Sequence, residues 1–292
     1  MLDKLAENDR RPRDATVRGG GYRARSFLHR GHRLNYEDHG HGDRLIVYMH
    51  GLLLDAELNR SIARALVERG NRVILLDLLG HGRSDRPDHA SEYRMDLYVD
   101  QLLALLDEIE APEAVLGGLS LGANVSLLTA TRAPERVRGL VLEMPVLERA
   151  APAVALTFVP LLLALHYAST PAGMVTSVVA RLPRTHFGPL DSILNAASMD
   201  PDQMAAVLHG VLLGPVVPTT EERAAIQSPT LILAHRCDLI HPFSDAANLA
   251  GQLPDAELVH ARSPFELRLR PERLTAEIVA FLETVWKTED ES

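Results

Sequence analysis

Short apolar runs alternate with amphipathic segments along the middle of the chain. An apolar run of this length is typical of a strand buried on both faces, whereas apolar residues three and four apart are typical of a helix. Arg44–Met49, Arg72–Asp77, Ala114–Leu116 and Val137–Glu143 are the predicted strands, and Ala56–Glu68, Met95–Ile109 and Ala123–Thr131 are the predicted helices. Regular alternation of this kind predicts an α/β fold with a mostly parallel central sheet flanked by helices.

The pattern changes on either side of this region. Residues 23–28 and 32–37 resemble two short strands around the Arg30-Gly31 turn, which predicts an antiparallel hairpin. Residues 144–223 contain no convincing strand, are rich in Leu, Ala, Val and Pro, and predict several helices. Alternation then resumes with a strand at 230–234, a helix at about 242–253, a strand at 257–259 and a last helix at 271–285.

This pattern predicts one core that is interrupted by a helical insertion. The core comprises residues 23–143 and 224–287, and the insertion, residues 144–223, forms a cap. Residues 1–22 are polar and rich in Arg and lack the apolar segment of a signal peptide, so we expect a flexible leader. Residues 288–292 form an acidic tail that we expect to be frayed.

The composition indicates which kinds of partner and which cellular compartment to expect. The net charge of −9 argues against a nucleic-acid partner, and the 46% hydrophobic and 24% charged residues are ordinary for a globular protein. Cys237 is the only cysteine, so no intrachain disulfide can form, which suits a cytoplasmic location. The expected partner is a small molecule, and we expect a monomer or a homodimer.

One short segment combines a strand, a glycine-flanked serine and a helix. Gly118-Leu119-Ser120-Leu121-Gly122 directly follows the predicted strand at 114–116 and precedes an apolar, helical run. In this context a Gly-x-Ser-x-Gly sequence places the serine hydroxyl on a sharp, strained turn, and the helix start directs free N–H groups toward developing negative charge. The alternative is a glycine-rich turn with an ordinary N-cap serine.

Four segments together resemble the α/β-hydrolase superfamily over about residues 23 to 287. They are His50-Gly51, Asp77-Leu-Leu-Gly-His-Gly-Arg-Ser-Asp85, the segment around Ser120, and Cys237-Asp238-Leu-Ile-His-Pro242. They occur in the order and at the intervals usual for the family. The resemblance implies the α/β-hydrolase fold, and residues 144–223 match the helical cap that many members insert.

The resemblance also implies roles for individual residues. Ser120 corresponds to the nucleophile, and the backbone N–H groups of Leu52 and Leu121 correspond to the oxyanion hole. Asp238 corresponds to the acid that orients the catalytic base, with Glu143 as the alternative because some members place the acid there. A serine at this position implies hydrolysis of an ester, lactone, thioester or related bond.

The sequence departs from the family where the catalytic histidine is expected. The last helix opens with Arg270-Pro-Glu272, and Pro264 occupies the position where the family has histidine. Only His241 and His260 follow Asp238 in the chain. We assign the base to His260, at the end of the last strand, and interpret His241 as a residue at the start of a helix.

Two functions of different class follow from this departure. In the first, a rearranged triad makes the chain a serine hydrolase of an apolar ester, lactone or related acyl substrate. In the second, the fold has lost its general base and acts as a ligand-binding protein or in a non-hydrolytic step, because a serine without a base is a poor nucleophile.

The predicted cap favours a lipophilic substrate. Residues 150–168 form the most apolar stretch of the chain and carry no formal charge. Pro152 and Pro160 interrupt this stretch, which falls short of the ~20 residues needed to cross a bilayer, so we expect no integral membrane span. The sequence has no Walker loop, no His-x-x-x-His pair and no Gly-x-Gly-x-x-Gly after a strand, so we expect neither a metal nor an organic cofactor.

Overall fold

A single mixed sheet organises the structure, a computed structural model that describes residues 15–16, 21–212, 214–236, 238 and 240–287. Within these residues the sheet has nine strands in the order β1-β2-β3-β5-β4-β6-β7-β8-β9. The strands are β1 (Ala15–Thr16), β2 (Tyr22–His29), β3 (His32–His39), β4 (Leu45–Met49), β5 (Arg72–Asp77), β6 (Ala114–Leu119), β7 (Val137–Glu143), β8 (Thr230–His235) and β9 (Ala256–Ala261). Strands β1 to β3 pair antiparallel, β3 pairs antiparallel with β5, and β4 to β9 pair parallel.

Helices cover both faces of this sheet. They are α1 (Arg60–Val67), α2 (Met95–Glu108), α3 (Leu121–Arg132), α9 (Phe243–Gln252), α10 (Glu266–Leu269) and α11 (Glu272–Lys287). Alternate residues of one strand point to opposite faces, so Val47 and Met49 pack in the core beneath α2, α3 and α9, whereas Ile46 and Tyr48 pack in the core beneath α1 and α11. The two apolar cores explain why the parallel strands are continuous apolar runs.

Five further helices lie between β7 and β8. They are α4 (Ala151–Tyr167), α5 (Ser169–Ala180), α6 (Gly188–Ala197), α7 (Pro201–Leu212) and α8 (Thr220–Ala224). Leu165 of α4 packs with Met204 and Leu208 of α7 in a third, smaller apolar cluster. These helices occupy the region that the sequence assigns to the cap.

The predicted alternation of strands and helices is confirmed, and the differences lie at element ends. The helix expected from Ala56 begins as a 3-10 turn over Ala56–Asn59, because the Asp55 side chain accepts a hydrogen bond from the Glu57 N–H and starts the chain turning there. Strand β6 extends to Leu119 since its glycines continue the pairing with β7. Residues 15–16, expected to be part of a flexible leader, pair with β2 instead, while residues 1–14, 17–20 and 288–292 lie outside the described residues.

Candidate active site

Ser120 occupies a strained turn between β6 and α3. Its backbone has φ 51° and ψ −102°, a left-handed conformation that is costly for a residue with a side chain. The flanking glycines permit this turn because the chain passes very close to β4: a Cβ atom on Gly118 would lie 2.6 Å from the Met49 carbonyl oxygen, and one on Gly122 would lie 2.7 Å from it. The turn presents the Ser120 side chain to the pocket.

Ser120, His241 and Asp238 form a continuous hydrogen-bonded chain. His241 Nε2 lies 2.9 Å from Ser120 Oγ, and His241 Nδ1 lies 2.9 Å from Asp238 Oδ2. Asp238 and His241 are only three residues apart, on the loop between β8 and α9. This short loop therefore supplies both the carboxylate and the imidazole that face the serine.

The loop fixes the charge and orientation of Asp238. Burial alone raises the pKa of its carboxyl, but hydrogen bonds from the His241 ring and from the backbone N–H groups of His241 and Ile240 lower that pKa to about 2. An ionised carboxylate only accepts hydrogen bonds, so His241 Nδ1 must carry the proton. His241 Nε2 is then free to accept the Ser120 hydroxyl proton, which is the arrangement of a general base.

His260 is not brought to Ser120, which corrects its assignment as the base. It lies at the end of β9 with an exposed side chain, and its ring packs edge-on against Phe243 at 5.6 Å between centroids. The interpretation of His241 as merely a residue near a helix start was also incomplete. The signal that could have found it is the Asp-x-x-His spacing, since backbone N–H groups two and three residues after an aspartate commonly turn back onto its carboxylate.

Glu143, the alternative candidate for the acid, has partners other than His241. Its carboxylate accepts a hydrogen bond from Tyr48 Oη at 3.0 Å and forms a buried ion pair with Arg268. Arg268 also donates to Asn59 Oδ1 at 2.8 Å. Asp238 is therefore the carboxylate partner of the His241 ring. Glu143 instead holds Arg268 in the wall of the pocket.

Leu52 and Leu121 lie beside Ser120 in the pocket wall. Leu121 is the first residue of α3, where the backbone N–H has no intrahelical acceptor. Among the described residues, neither the Leu52 nor the Leu121 amide donates to a protein acceptor. Both are thus available as donors to a negatively charged oxygen at Ser120.

The serine opens into an apolar cavity of about 830 Å³. The cap contributes Val154, Phe158, Phe187, Leu190, Ile193 and Val211 to its lining. From the core side the lining includes Pro264, Phe265 and Leu269, which occupy the segment where the family usually has its histidine. A large apolar wall around a few polar groups is typical of a small-molecule site.

His50 and His81 lie near the site but have structural partners. His50 Nδ1 donates to the Gly51 carbonyl at 2.9 Å, and His50 Nε2 accepts from the Leu78 N–H at 3.1 Å. His81 Nδ1 lies 2.9 Å from the Leu79 carbonyl. Burial lowers the pKa of both rings, so both are neutral; His50 joins Gly51 to Leu78, and His81 is held by the Leu79 carbonyl.

Asp77 anchors the loop after β5 from a fully buried position. Its carboxylate accepts hydrogen bonds from the backbone N–H groups of Ala56 at 2.8 Å and Arg83 at 2.9 Å. Burial, with the nearby Asp55 adding to it, raises the pKa of Asp77 to about 7. Over the described chain, no group of three or more His, Cys, Asp or Glu side chains is placed to hold a metal ion.

Comparison with known proteins places this geometry in a family. A family model described as alpha/beta hydrolase fold matches residues 44–263. The AB hydrolase superfamily protein YisY of Bacillus subtilis (strain 168) is 30% identical over 243 residues, which cover 76% of this chain and 84% of that protein. The 2-hydroxymuconate semialdehyde hydrolase of Pseudomonas sp. (strain CF600) is 38% identical over 119 residues, but this match spans only 42% of that protein and 40% of this chain.

Solved structures extend the likeness to the whole fold. The enol-lactonase from Burkholderia xenovorans LB400 superposes with a TM-score of 0.72 at 20% identity, covering 88% of this chain and 99% of that one. At this identity the likeness concerns the fold alone.

Proposed function

We propose that this chain, which belongs to the α/β-hydrolase family, is a hydrolase that cleaves an apolar ester, lactone or related acyl compound through a covalent Ser120 intermediate. The single observation that carries this proposal is the hydrogen-bonded chain from Ser120 Oγ through His241 to Asp238 at the wall of an apolar cavity. It supplies the general base that the sequence lacks at its usual position.

In the proposed reaction Ser120 Oγ attacks the acyl carbon while His241 Nε2 takes the hydroxyl proton. The Leu52 and Leu121 N–H groups stabilise the oxyanion that forms on the carbonyl oxygen. His241 then returns the proton to the departing alkoxide, which leaves an ester on Ser120. A water molecule, deprotonated by His241 in turn, attacks this acyl-enzyme and restores the serine. Asp238 stays ionised throughout and stabilises the imidazolium.

The cavity supports the substrate class. Its lining is overwhelmingly aliphatic and aromatic, with Ser120, His241, Asp238 and Arg268 as the charged or reactive groups. The partial relative named above is a hydrolase by name. We propose that residues 144–223 act as the cap that covers an acyl chain bound there.

The structure weakens the main reason for the alternative hypothesis, a binding protein without catalysis. It rested on the absence of a histidine at position 264, and His241 stands within 2.9 Å of the serine from another loop.

A series of p-nitrophenyl esters tests the proposal. Each methylene that enters an apolar cavity is worth up to about 0.8 kcal/mol, so kcat/KM should rise by up to about fourfold per methylene until the cavity is full. Ser120→Ala should abolish turnover across the series. A flat series, or turnover that survives in Ser120→Ala, contradicts the proposal.

A further inference from the structure

Large apolar side chains are exposed over the outer helices of the cap. Leu156 and Tyr167 of α4 are 79% and 81% exposed, and Met174 and Val175 of α5 are 66% and 63% exposed. Within the described chain, Leu165 is the only buried residue of α4, and α5 has none. We call the exposed large apolar residues of this region the apolar cap surface; they are Leu156, Val159, Leu161, Leu163, Tyr167, Met174, Val175, Val178, Leu182, Phe187, Leu190 and Ile193.

The apolar cap surface continues into the mouth of the active-site cavity. Phe187, Leu190 and Ile193 are 45%, 41% and 48% exposed and also line that cavity. Outside the cap, Phe265 and Leu269 are 56% and 59% exposed and line this cavity too. An apolar molecule can therefore pass from this surface to Ser120 along a path of apolar side chains.

The charge around the apolar cap surface is opposite to that of the protein as a whole. The chain carries a net charge of −9, yet residues 149 to 193, which carry the apolar cap surface, contain three arginines and one acidic residue, Asp191, which is buried. Arg149 precedes α4, and Arg181 and Arg184 follow α5, so the arginines flank the apolar helices. Arginines beside exposed apolar and aromatic side chains form the pattern of a segment that lies at the interface of an anionic membrane.

The contacts of α4 with the rest of the protein indicate that this helix would lie on a membrane and not cross it. By length and composition, the segment Glu148–Tyr167 is long and apolar enough to span a bilayer, and 11% of an 18-residue apolar stretch within it is buried. However, Leu165 packs against Met204 and Leu208 of α7, and Val154 and Phe158 line the cavity. The helix is thus held to the protein along one side, and only its outer side is available to lipid.

We propose that the apolar cap surface docks on bilayers that contain anionic phospholipid, so that an apolar substrate enters the cavity from the lipid phase. Each exposed apolar side chain would leave water on docking, and the flanking arginines would meet anionic head groups. Docking itself does not require the proposed hydrolysis, because the surface lies outside the Ser120, His241 and Asp238 chain, whereas entry of a substrate from the lipid rests on the proposed function.

Vesicle flotation of the full chain tests this proposal without turnover. The vesicles contain phosphatidylcholine alone or with an equal part of phosphatidylglycerol, and the parent is compared with Leu156→Glu, Arg181→Gln and Leu28→Glu. Leu28 is the matched control because it is 75% exposed on β2, outside the cap, and its substitution adds the same charge. Circular dichroism and turnover of a short soluble ester verify that each variant is folded.

We expect the parent to float with the mixed vesicles. The partition coefficient of Leu156→Glu should be at least tenfold lower than that of the parent. Arg181→Gln should lower partitioning to the mixed vesicles only, and Leu28→Glu should have no effect. The proposal is overturned if the folded, active parent does not float. It is also overturned if light scattering shows a dimer that Leu156→Glu dissociates, because a second copy then covers the surface. Since soluble-ester turnover is measured separately, loss of docking is distinguishable from loss of hydrolysis.

Discussion

Replacing Asp238 by asparagine should change the tautomer of His241 while leaving the geometry of the loop in place. Asp238 Oδ1 accepts from the backbone N–H groups of Ile240 at 2.8 Å and His241 at 3.0 Å, and the amide oxygen of asparagine can accept both. The amide NH2 then faces His241 Nδ1 and donates to it. The ring proton moves to Nε2, which can no longer accept the Ser120 hydroxyl proton.

The expected cost follows from the loss of the base. In triads of this geometry the wrong tautomer lowers kcat by about 10⁴-fold, and a loss of 10³- to 10⁴-fold corresponds to about 4 to 5.5 kcal/mol of transition-state stabilisation. The pKa of Asp238 is about 2, so the parent keeps its acceptor carboxylate over the whole range of a pH profile from 4 to 9. The asparagine variant should therefore be slow at every pH in that range.

Pre-steady-state hydrolysis of a p-nitrophenyl ester measures this effect. The burst rate reports acylation of Ser120, and urea unfolding of the same variant checks that the loop is intact. Asp238→Ala provides a comparison, because it also removes the acceptor for the two backbone N–H groups. An asparagine variant that acylates within tenfold of the parent refutes the assignment of Asp238 as the residue that sets the tautomer.

Three further predictions concern the framework of the site. Arg268→Met leaves Glu143 as a buried charge without its ion-pair partner, so we expect the free energy of unfolding in urea to fall by about 3 to 5 kcal/mol. The double variant with Glu143→Gln should recover most of this loss, and equal instability of the single and double variants contradicts the prediction. Because the folded state raises the pKa of Asp77 to about 7, the stability of the parent relative to Asp77→Asn should fall as pH rises from 4 to 7 and then level off; parallel curves in that range are the contrary result. Gly122→Ala places a Cβ atom 2.7 Å from the Met49 carbonyl oxygen, so acylation should slow and the free energy of unfolding should fall by about 1 to 3 kcal/mol. Parent-like values in both assays would show that this close approach does not matter.

The sheet and its helices could be predicted because each apolar run is long enough to be read locally. Strands Arg72–Asp77 and Val137–Glu143 have the predicted bounds. Their side chains are buried on both faces, which requires an apolar residue at nearly every position. The serine turn was equally visible, since Gly118 and Gly122 are required by close approach to β4.

The histidine could not be found in the same way. Which imidazole reaches Ser120 depends on the path of two loops, and no periodic pattern specifies a loop path. His260 stands closest to the family position along the chain, yet β9 carries its side chain to the exterior beside Phe243. His241 reaches the serine because the turn after β8 folds back on the Asp238 carboxylate.

The exposure of the cap was also beyond sequence reasoning. The apolar character of residues 150–168 predicts a cap over a lipophilic substrate, but it does not reveal that Leu165 is the only buried residue of α4 within the described chain. An apolar helix has the same sequence whether its partner is the protein core or something outside the protein, and only the packing distinguishes the two.

If His241 activates Ser120, the rate at which a fluorophosphonate probe labels Ser120 must depend on this imidazole. The parent, His241→Ala and His260→Ala are compared at one pH, with Ser120→Ala as the blank. These two histidine variants are a matched pair, because each removes an imidazole that follows Asp238 in the chain. We expect His241→Ala to slow labelling at least a thousandfold, and His260→Ala to be labelled at the rate of the parent. Equal labelling of His241→Ala and the parent, or a large loss confined to His260→Ala, contradicts this role of His241.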